Sequence, residues 1–416
     1  MTFQSIFTKS KNNMKYFFIL GNHPSISVAE IAATISDIQN AKLHNNNVFV
    51  FDTEEKFVTE KLIRKLGGTI KIGVLESSTS RYNPEKIFKL AKDLLSPTDG
   101  KYKFGISYYG NSKFNTKTIG MKIKSYLKEK DVSCRWVISK EPTLSSVVIT
   151  TNKLCDRGIE IILIEDKHNV LIGKTLAVQP FKELSYRDYD RPAKDSKSGM
   201  LPPKLAQIMI NLSRIKEDQI LLDPFCGSGT VLMEGLLMGI KKLIGSDISK
   251  KAVEDTKINT DWAIDKFNIT DHDYSAMLWS ATELSKFLGK ESVDAIVTEP
   301  YLGPQRGDHE IRKVKQELEL LYSDSIREFK KVLKKHGRIV MLWPTFVTNR
   351  DMRITNSTSN KTDFSFINPN YSGFKIINPI PAELRTDKLK TTNRNTLIYG
   401  REGQRVWREI VILEHE

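Results

Sequence analysis

The decapeptide "LLDPFCGSGT", Leu221–Thr230, opens on a short apolar run, passes through an acid, and closes on glycines at 227 and 229. An apolar run of that length reads as a buried strand, and Gly227 and Gly229 lack the Cβ that would stop the backbone bending sharply into a helix. The next apolar run, "KLIGSDIS", ends on Asp247, about 20 residues past Gly227, the offset at which an acid reaches ribose hydroxyls at the C-terminal edge of a parallel sheet. From Leu201 onward helix and strand patterns alternate strictly: "PPKLAQIMINLSRI", "QILLDPF", "GTVLMEGLLMGI", "KLIGSDI", "KKAVEDTKINTDWAI", "YSAMLW", "VDAIVTEP", "YSDSIREFKKVLKKHG" and "RIVMLWP". Apolar strands separated by amphipathic helices predict a doubly wound, mostly parallel α/β sheet of Rossmann-like type, and the closing pair in "TLIYGREGQRVWREIVIL" predicts an antiparallel edge.

A dinucleotide turn carries a third glycine, but that position here is Leu232. The form D-P-x-x-G-x-G-T is instead that of S-adenosylmethionine enzymes, so Asp223, Pro224, Phe225, Cys226, Gly227, Ser228, Gly229 and Thr230 are expected to wrap the cofactor. Asp223 is placed near its ammonium group, and Asp247 with the adjoining Ile248 at its ribose. In "SAMLWSATEL" the third strand offers Ser280, Ala281 and Thr282 where an acid often meets the adenine amine, and Ala281 is taken as the contact.

The fourth strand ends in "VTEPYLGP", Val297–Pro304, close to the Asp/Asn-Pro-Pro-Tyr tetrapeptide of enzymes that methylate exocyclic amines. Such an amine is a poor nucleophile because its lone pair is delocalised into the ring. Acceptors for its N–H groups must turn the lone pair toward the methyl donor. Pro300 and Tyr301 keep the rigid and stacking roles, while Thr298 and Glu299 stand where the acid and the first proline belong. Glu299 is the candidate acceptor from one position later, with Thr298 as the second candidate.

At 416 residues the chain is long enough for roughly three domains. Its first third alternates strand-like and helix-like pieces, "KYFFIL", "SISVAEIAATIS", "NVFVFD", "TEEKFVTEKLIRKLG" and "TIKIGVL", with Gly67 and Gly68 turning into the last, and these five pieces are fitted to a strand-helix-strand-strand-helix-strand order. That is the order of a ferredoxin-like unit. A second unit follows, with helix "NPEKIFKLAKDLL", strand "KYKFGISYYG", basic helix "TKTIGMKIKSYLKEK", strand "CRWVIS" and two further strands around "SSVVITTNK" and "GIEIILIED", ending at "LIGKTLAVQPF". The polar, aperiodic "KELSYRDYDRPAKDSKSG" reads as a linker, and "NSTSNKT" near Asn356 as the nearest approach to low complexity.

Lysine and arginine number 64 against 50 acids, a net charge of +14 that favours a polyanionic partner. The lysines of "KTIGMKIKSYLKEK", together with Arg187 and Arg191 of the linker, are candidates for RNA phosphates. Cys134, Cys155 and Cys226 show neither metal-ligand spacing nor an even count, so no metal site is expected and a reducing, cytoplasmic compartment is. No stretch approaches a signal h-region or a membrane span.

Four passages, "LGGTIKIG", "IGKTLAVQPF" with "RDYDRP", "GMLPPKLAQIMINL", and "LLDPFCGSGT" with its downstream "TEPY" and "GREGQRVWREI", give the chain a resemblance to the THUMP-containing tRNA guanine-N2 methyltransferases, which modify guanosine 10. The resemblance implies a ferredoxin-like domain over residues 1–75, a THUMP domain binding the tRNA acceptor end over 76–180, a linker over 181–200 and a methyltransferase domain over 201–416. It implies tRNA as substrate, and a small activating protein subunit where some relatives require one. The family's catalytic acid falls on Thr298, and its third-strand acid near Ser280. Two rival readings are an adenine-N6 or cytosine-N4 methyltransferase acting on DNA or rRNA, since the tetrapeptide serves all amines, and a noncatalytic tRNA-binding protein.

Overall fold

The computed structural model describes residues 7–81, 83–194, 200–304, 310–347 and 364–416. The "NSTSNKT" stretch and residues 195–199 of the expected linker lie outside them. The chain divides into two compact units, one of Met1–Val28 and Ile35–Glu183, the other of Ala29–Thr34 and Leu184–Glu416.

The first unit runs β1 (Phe7–Leu20), the start of α1 (Pro24–Thr34, of which Ala29–Thr34 are grouped with the second unit), β2 (Gln39–His44), β3 (Val48–Phe57), α2 (Thr59–Lys65) and β4 (Thr69–Ser80). It continues with α3 (Pro84–Asp93), β5 (Tyr102–Tyr109), α4 (Thr116–Glu129), β6 (Cys134–Val137), α5 (Ser146–Asn152), β7 (Gly158–Asp166) and β8 (Asn169–Val178); α5 stands where a strand is expected around "SSVVITTNK", because the Ser145 side chain accepts from Val148 N and caps a helix. All eight strands join one sheet in the order β2-β3-β1-β4-β8-β7-β5-β6. The expected boundary after residue 75 therefore falls inside β4, which pairs with β1 along one edge and with β8 along the other. Tyr16–Leu20 is apolar at every position because β1 is interior and both its faces are covered. Helix starts are set locally. Pro84 occupies the first turn of α3 behind an Asn83 side chain that accepts from Lys86 N, and Asn115 caps α4 by accepting from Lys117 N and Thr118 N. Helix α4 buries Ile119, Gly120, Ile123 and Leu127, leaving Lys117 and Lys128 exposed.

The second unit contains α7 (Pro203–Ser213), β9 (Ile220–Asp223), α8 (Thr230–Leu237), β10 (Lys242–Ser246), α9 (Lys250–Phe267), β11 (Asp273–Met277), β12 (Val293–Thr298), α10 (Ile311–Val332), β13 (Leu333–Val347), β14 (Phe364–Phe366), β15 (Phe374–Ile376), β16 (Leu397–Tyr399) and β17 (Val406–His415). The sheet order is β11-β10-β9-β12-β13-β17-β15, with β11 through β13 parallel. Strand β17 runs antiparallel to β13 as expected, but it is interior, because β15 covers its other edge. Between β9 and its neighbours β10 and β12 the chain switches direction of winding, which opens a crevice at the C-terminal ends of these strands.

The expected linker is structured over residues 181–194. Its start forms α6 (Phe181–Ser185) and a π-helical turn over Tyr186–Asp190, and Leu184, Arg187, Arg191 and Ala193 are all buried. Polar composition misled because the arginines carry their partners inside. Among the described residues no helix is long and apolar enough to cross a membrane.

Candidate active site

The crevice above β9 is a cavity of about 770 Å³. Gly227 and Gly229 line its turn with φ of +52° and +82°, the left-handed region that glycine adopts without strain. A Cβ on Gly229 would also meet Thr256 Cα at 3.1 Å, so this position is closed twice to other residues. The turn is braced from α9. Thr256 donates to Gly227 O at 2.9 Å, and Asn259 donates to Ser228 O at 2.8 Å and to Ala193 O at 2.9 Å while accepting from Ala193 N. Each such bond contributes about 1 kcal/mol, and their number fixes the turn's shape.

Asp247, just past β10, accepts the Gly227 amide at Oδ2 and the Ser249 amide at Oδ1. A carboxylate oxygen takes two bonds, so both keep capacity toward the cavity, where the side chain of Ile248 is 76% exposed. Ser280, Ala281 and Thr282 line the wall after β11, with the two hydroxyls 2.8 Å apart.

Asp223 ends β9 and is 2% exposed. Burial pushes its carboxyl up to about 7, and the charges of Asp247 and Glu299 act in the same direction. The Thr298 hydroxyl, donating at 2.7 Å, and the Phe225 amide at 3.2 Å pull the other way. Thr298 is buried and its hydroxyl is spent on Asp223, so it is not presented to the cavity as an acceptor. Burial also pushes the Cys226 thiol upward, which leaves it an unreactive wall residue.

Glu299 does reach the cavity. Its Oε1 accepts from Arg408 Nε of β17 at 2.5 Å, in an ion pair whose side chains are 15% and 18% exposed. Pro300 is buried beside it. Tyr301 is 57% exposed, and its carbonyl accepts from the buried Tyr322 hydroxyl of α10 at 2.9 Å, which anchors the backbone while the ring stays free.

The cavity thus gathers Asp223, Pro224, Phe225, Cys226, Gly227, Ser228, Thr230, Asp247, Ile248, Ala281, Glu299, Pro300 and Tyr301, all singled out in the sequence. Arg187 and Arg191 are corrections. Arg187 is 3% exposed and bonded through Nε to Glu234, and Arg191 is 1% exposed with Nη1 on Thr230, so neither can meet an RNA phosphate. A buried guanidinium needs a partner: α8 supplies the Glu234 carboxylate to Arg187 and the Thr230 hydroxyl to Arg191, whose Nε and Nη2 find no partner among the described residues. Thr256, Asn259, Tyr322 and Arg408 were missed. The first three carry no local signal, whereas Arg408 sits inside "GREGQRVWREI", already singled out as a motif.

Residues 191–371 match a methyltransferase-domain family described as RMKL-like, and residues 6–258 match a family described as DNA methylase. A probable tRNA (guanine(10)-N2)-dimethyltransferase of Methanothermococcus thermolithotrophicus is 45% identical over 103 residues, 24% of this chain and 60% of that one. The tRNA (guanine(10)-N2)-dimethyltransferase of Methanocaldococcus jannaschii is 34% identical over 184 residues, 42% of this chain and 48% of that one. The chain therefore spans about half the length of the curated relatives it matches. Among solved structures, TrmN from Thermus thermophilus superposes with a TM-score of 0.51 at 15% identity, covering 97% of this chain and all of that one, a likeness of fold.

Proposed function

We propose that this chain, which belongs to the DNA methylase family matched by residues 6–258, acts on RNA: it transfers a methyl group from S-adenosylmethionine to the exocyclic N2 amine of a guanosine in tRNA, at position 10. One observation carries the reading: the glycine turn, Asp247 and the Glu299-Pro300-Tyr301 edge share a single cavity. Its size suits a nucleoside cofactor together with a base.

S-adenosylmethionine, when bound, supplies an electrophilic methyl on sulfur. Asp247 would accept from the ribose hydroxyls, the exposed face of Ile248 would cover the adenine, and ionised Asp223 would lie by the ammonium group. Tyr301 would stack on a base drawn out of its helix or loop. Glu299, through the oxygen that Arg408 does not hold, would accept a hydrogen bond from the amine as positive charge develops on nitrogen. Pro300 and the Tyr322 bond limit motion of this edge, so the acceptor keeps its place during transfer.

The relatives whose names specify tRNA guanine-N2 methylation support RNA over DNA, and the net charge of +14 suits a nucleic acid of either kind. The first unit also supports RNA. Its β2-β3-β1-β4 order with antiparallel pairing is that of a ferredoxin-like unit, and we assign the β5–β8 half to a THUMP-type fold that holds tRNA by its phosphates. Such an enzyme works in the cytoplasm. The test is nucleoside mass spectrometry of tRNA after incubation with the protein and S-adenosylmethionine, with a DNA duplex alongside. N2-methylated guanosine at position 10 is the expected product. Methylated adenine or cytosine, or transfer to the duplex alone, would overturn the reading.

A further inference from the structure

We infer that Arg408 is the specificity-determining residue of this site: paired with Glu299 it reads the guanine edge and rejects other amine-bearing bases. The inference rests on the guanine-N2 reading above and adds the residue that makes the choice. Both side chains line the cavity, and the pair is joined through one bond, Arg408 Nε to Glu299 Oε1. Glu299 Oε2 and the terminal nitrogens of Arg408 have no hydrogen-bond partner among the described residues. Among the described residues no neighbouring acid other than Glu299 is paired with the guanidinium. Glu409, next along β17, is buried and accepts from Thr396, with Arg394 at 3.5 Å.

The pair therefore offers the cavity a cationic donor beside carboxylate acceptors. Guanine has the matching edge: the N2 amine and N1–H are adjacent donors, and O6 beyond them is an acceptor. Adenine and cytosine place a ring nitrogen acceptor directly beside the amine, which would face the carboxylate lone pairs. A site whose polar groups are left unpaired by the wrong substrate discriminates far more strongly than one that differs in shape alone. Arg408 also holds Glu299 in one orientation, since a bound Nε leaves the carboxylate little freedom to turn.

The experiment uses intact tRNA carrying guanosine, adenosine or 2-aminopurine at the target nucleotide. 2-Aminopurine keeps the 2-amine but lacks N1–H and O6. Single-turnover transfer at saturating cofactor is measured for the parent chain, Arg408→Lys and Arg408→Leu. The parent is expected to prefer guanosine to 2-aminopurine by about 100-fold or more, as expected when a site's hydrogen bonds go unmade. Arg408→Leu should lose about tenfold of that preference, the share carried by O6, while keeping the share that Glu299 sets at N1; S-adenosylmethionine affinity should change less than about twofold, and Arg408→Lys should fall between. A merely structural arginine would lower the rates on all three tRNAs by the same factor, and that result overturns the inference while leaving the guanine reading intact. Equal rates of the parent on guanosine and 2-aminopurine do the same. A parent that methylates adenosine in preference, or no base at all, overturns both.

Discussion

If Asp223 lies beside the cofactor's ammonium group as proposed, it should couple cofactor binding to pH in a way that can be measured without any RNA. Its carboxyl is buried at the end of β9 and raised to about 7, chiefly by burial. An ammonium group bound beside it pairs with the ionised form, so apparent affinity follows the ionised fraction of the free protein. That fraction is about one half at pH 7 and about 3% at pH 5.5, so S-adenosylmethionine affinity should fall roughly 15-fold across this window. The ligand's own amine, of α-amino type with a pKa of about 7.7–8.0, stays protonated throughout and does not blur the slope. Calorimetry in two buffers of different ionisation enthalpy should show close to one proton released per cofactor at pH 5.5. In Asp223→Asn, which still offers an oxygen to Thr298, the dependence should vanish. A flat affinity in the parent, or an unchanged slope in Asp223→Asn, would refute the placement of the ammonium. Stability has the opposite sign. A carboxyl raised above its unfolded value stabilises fully below about pH 4 and loses that contribution as pH rises through about 7, a loss of up to about 4 kcal/mol in the cofactor-free protein. Melting temperatures of the free protein should accordingly drop over this range, and less so in Asp223→Asn.

Asp247→Ala removes the charged partner proposed for the ribose hydroxyls and should cost about 1.5–3 kcal/mol of cofactor binding by calorimetry, with unchanged affinity sinking the assignment. Glu299→Ala should slow methyl transfer by about 100-fold with cofactor affinity nearly constant, and Glu299→Gln, which keeps an acceptor oxygen, should be milder. Thr298→Val strips the hydroxyl from a buried carboxyl and should appear in thermal melts as a loss of about 1–3 kcal/mol. A collapsed rate in that variant with normal stability and a normal Glu299→Ala would reassign the acceptor.

The parallel sheet was legible because its strands are buried on both faces and read as continuous apolar runs, such as "IVMLW" at Ile339–Trp343, between helices of clear periodicity. The glycine turn and Asp247 were legible because their roles depend on backbone geometry within one βαβ unit. Contacts made across large sequence separations leave no such mark. Arg408 meets Glu299 across 109 residues, and Tyr322 meets Tyr301 across 21. Asn259 reaches back 66 residues to Ala193. Charge misled for a related reason: Arg187 and Arg191 look solvent-bound in a polar string, and Glu234 and Thr230, which bury them, lie on a helix elsewhere in the sequence.

Strand β4 gives the first unit a mechanical unity that its order of elements conceals. With β1 on one side over Thr69–Leu75 and β8 on the other over Lys71–Ser80, neither half can melt without baring a row of main-chain donors and acceptors on the other. An exposed edge of that length is a template for intermolecular pairing. Severing the chain after residue 75 would cut the shared strand and invite aggregation, whereas a fragment ending at Glu183 keeps every rung. The two halves should therefore unfold in one cooperative transition and protect their amides from exchange as a single class.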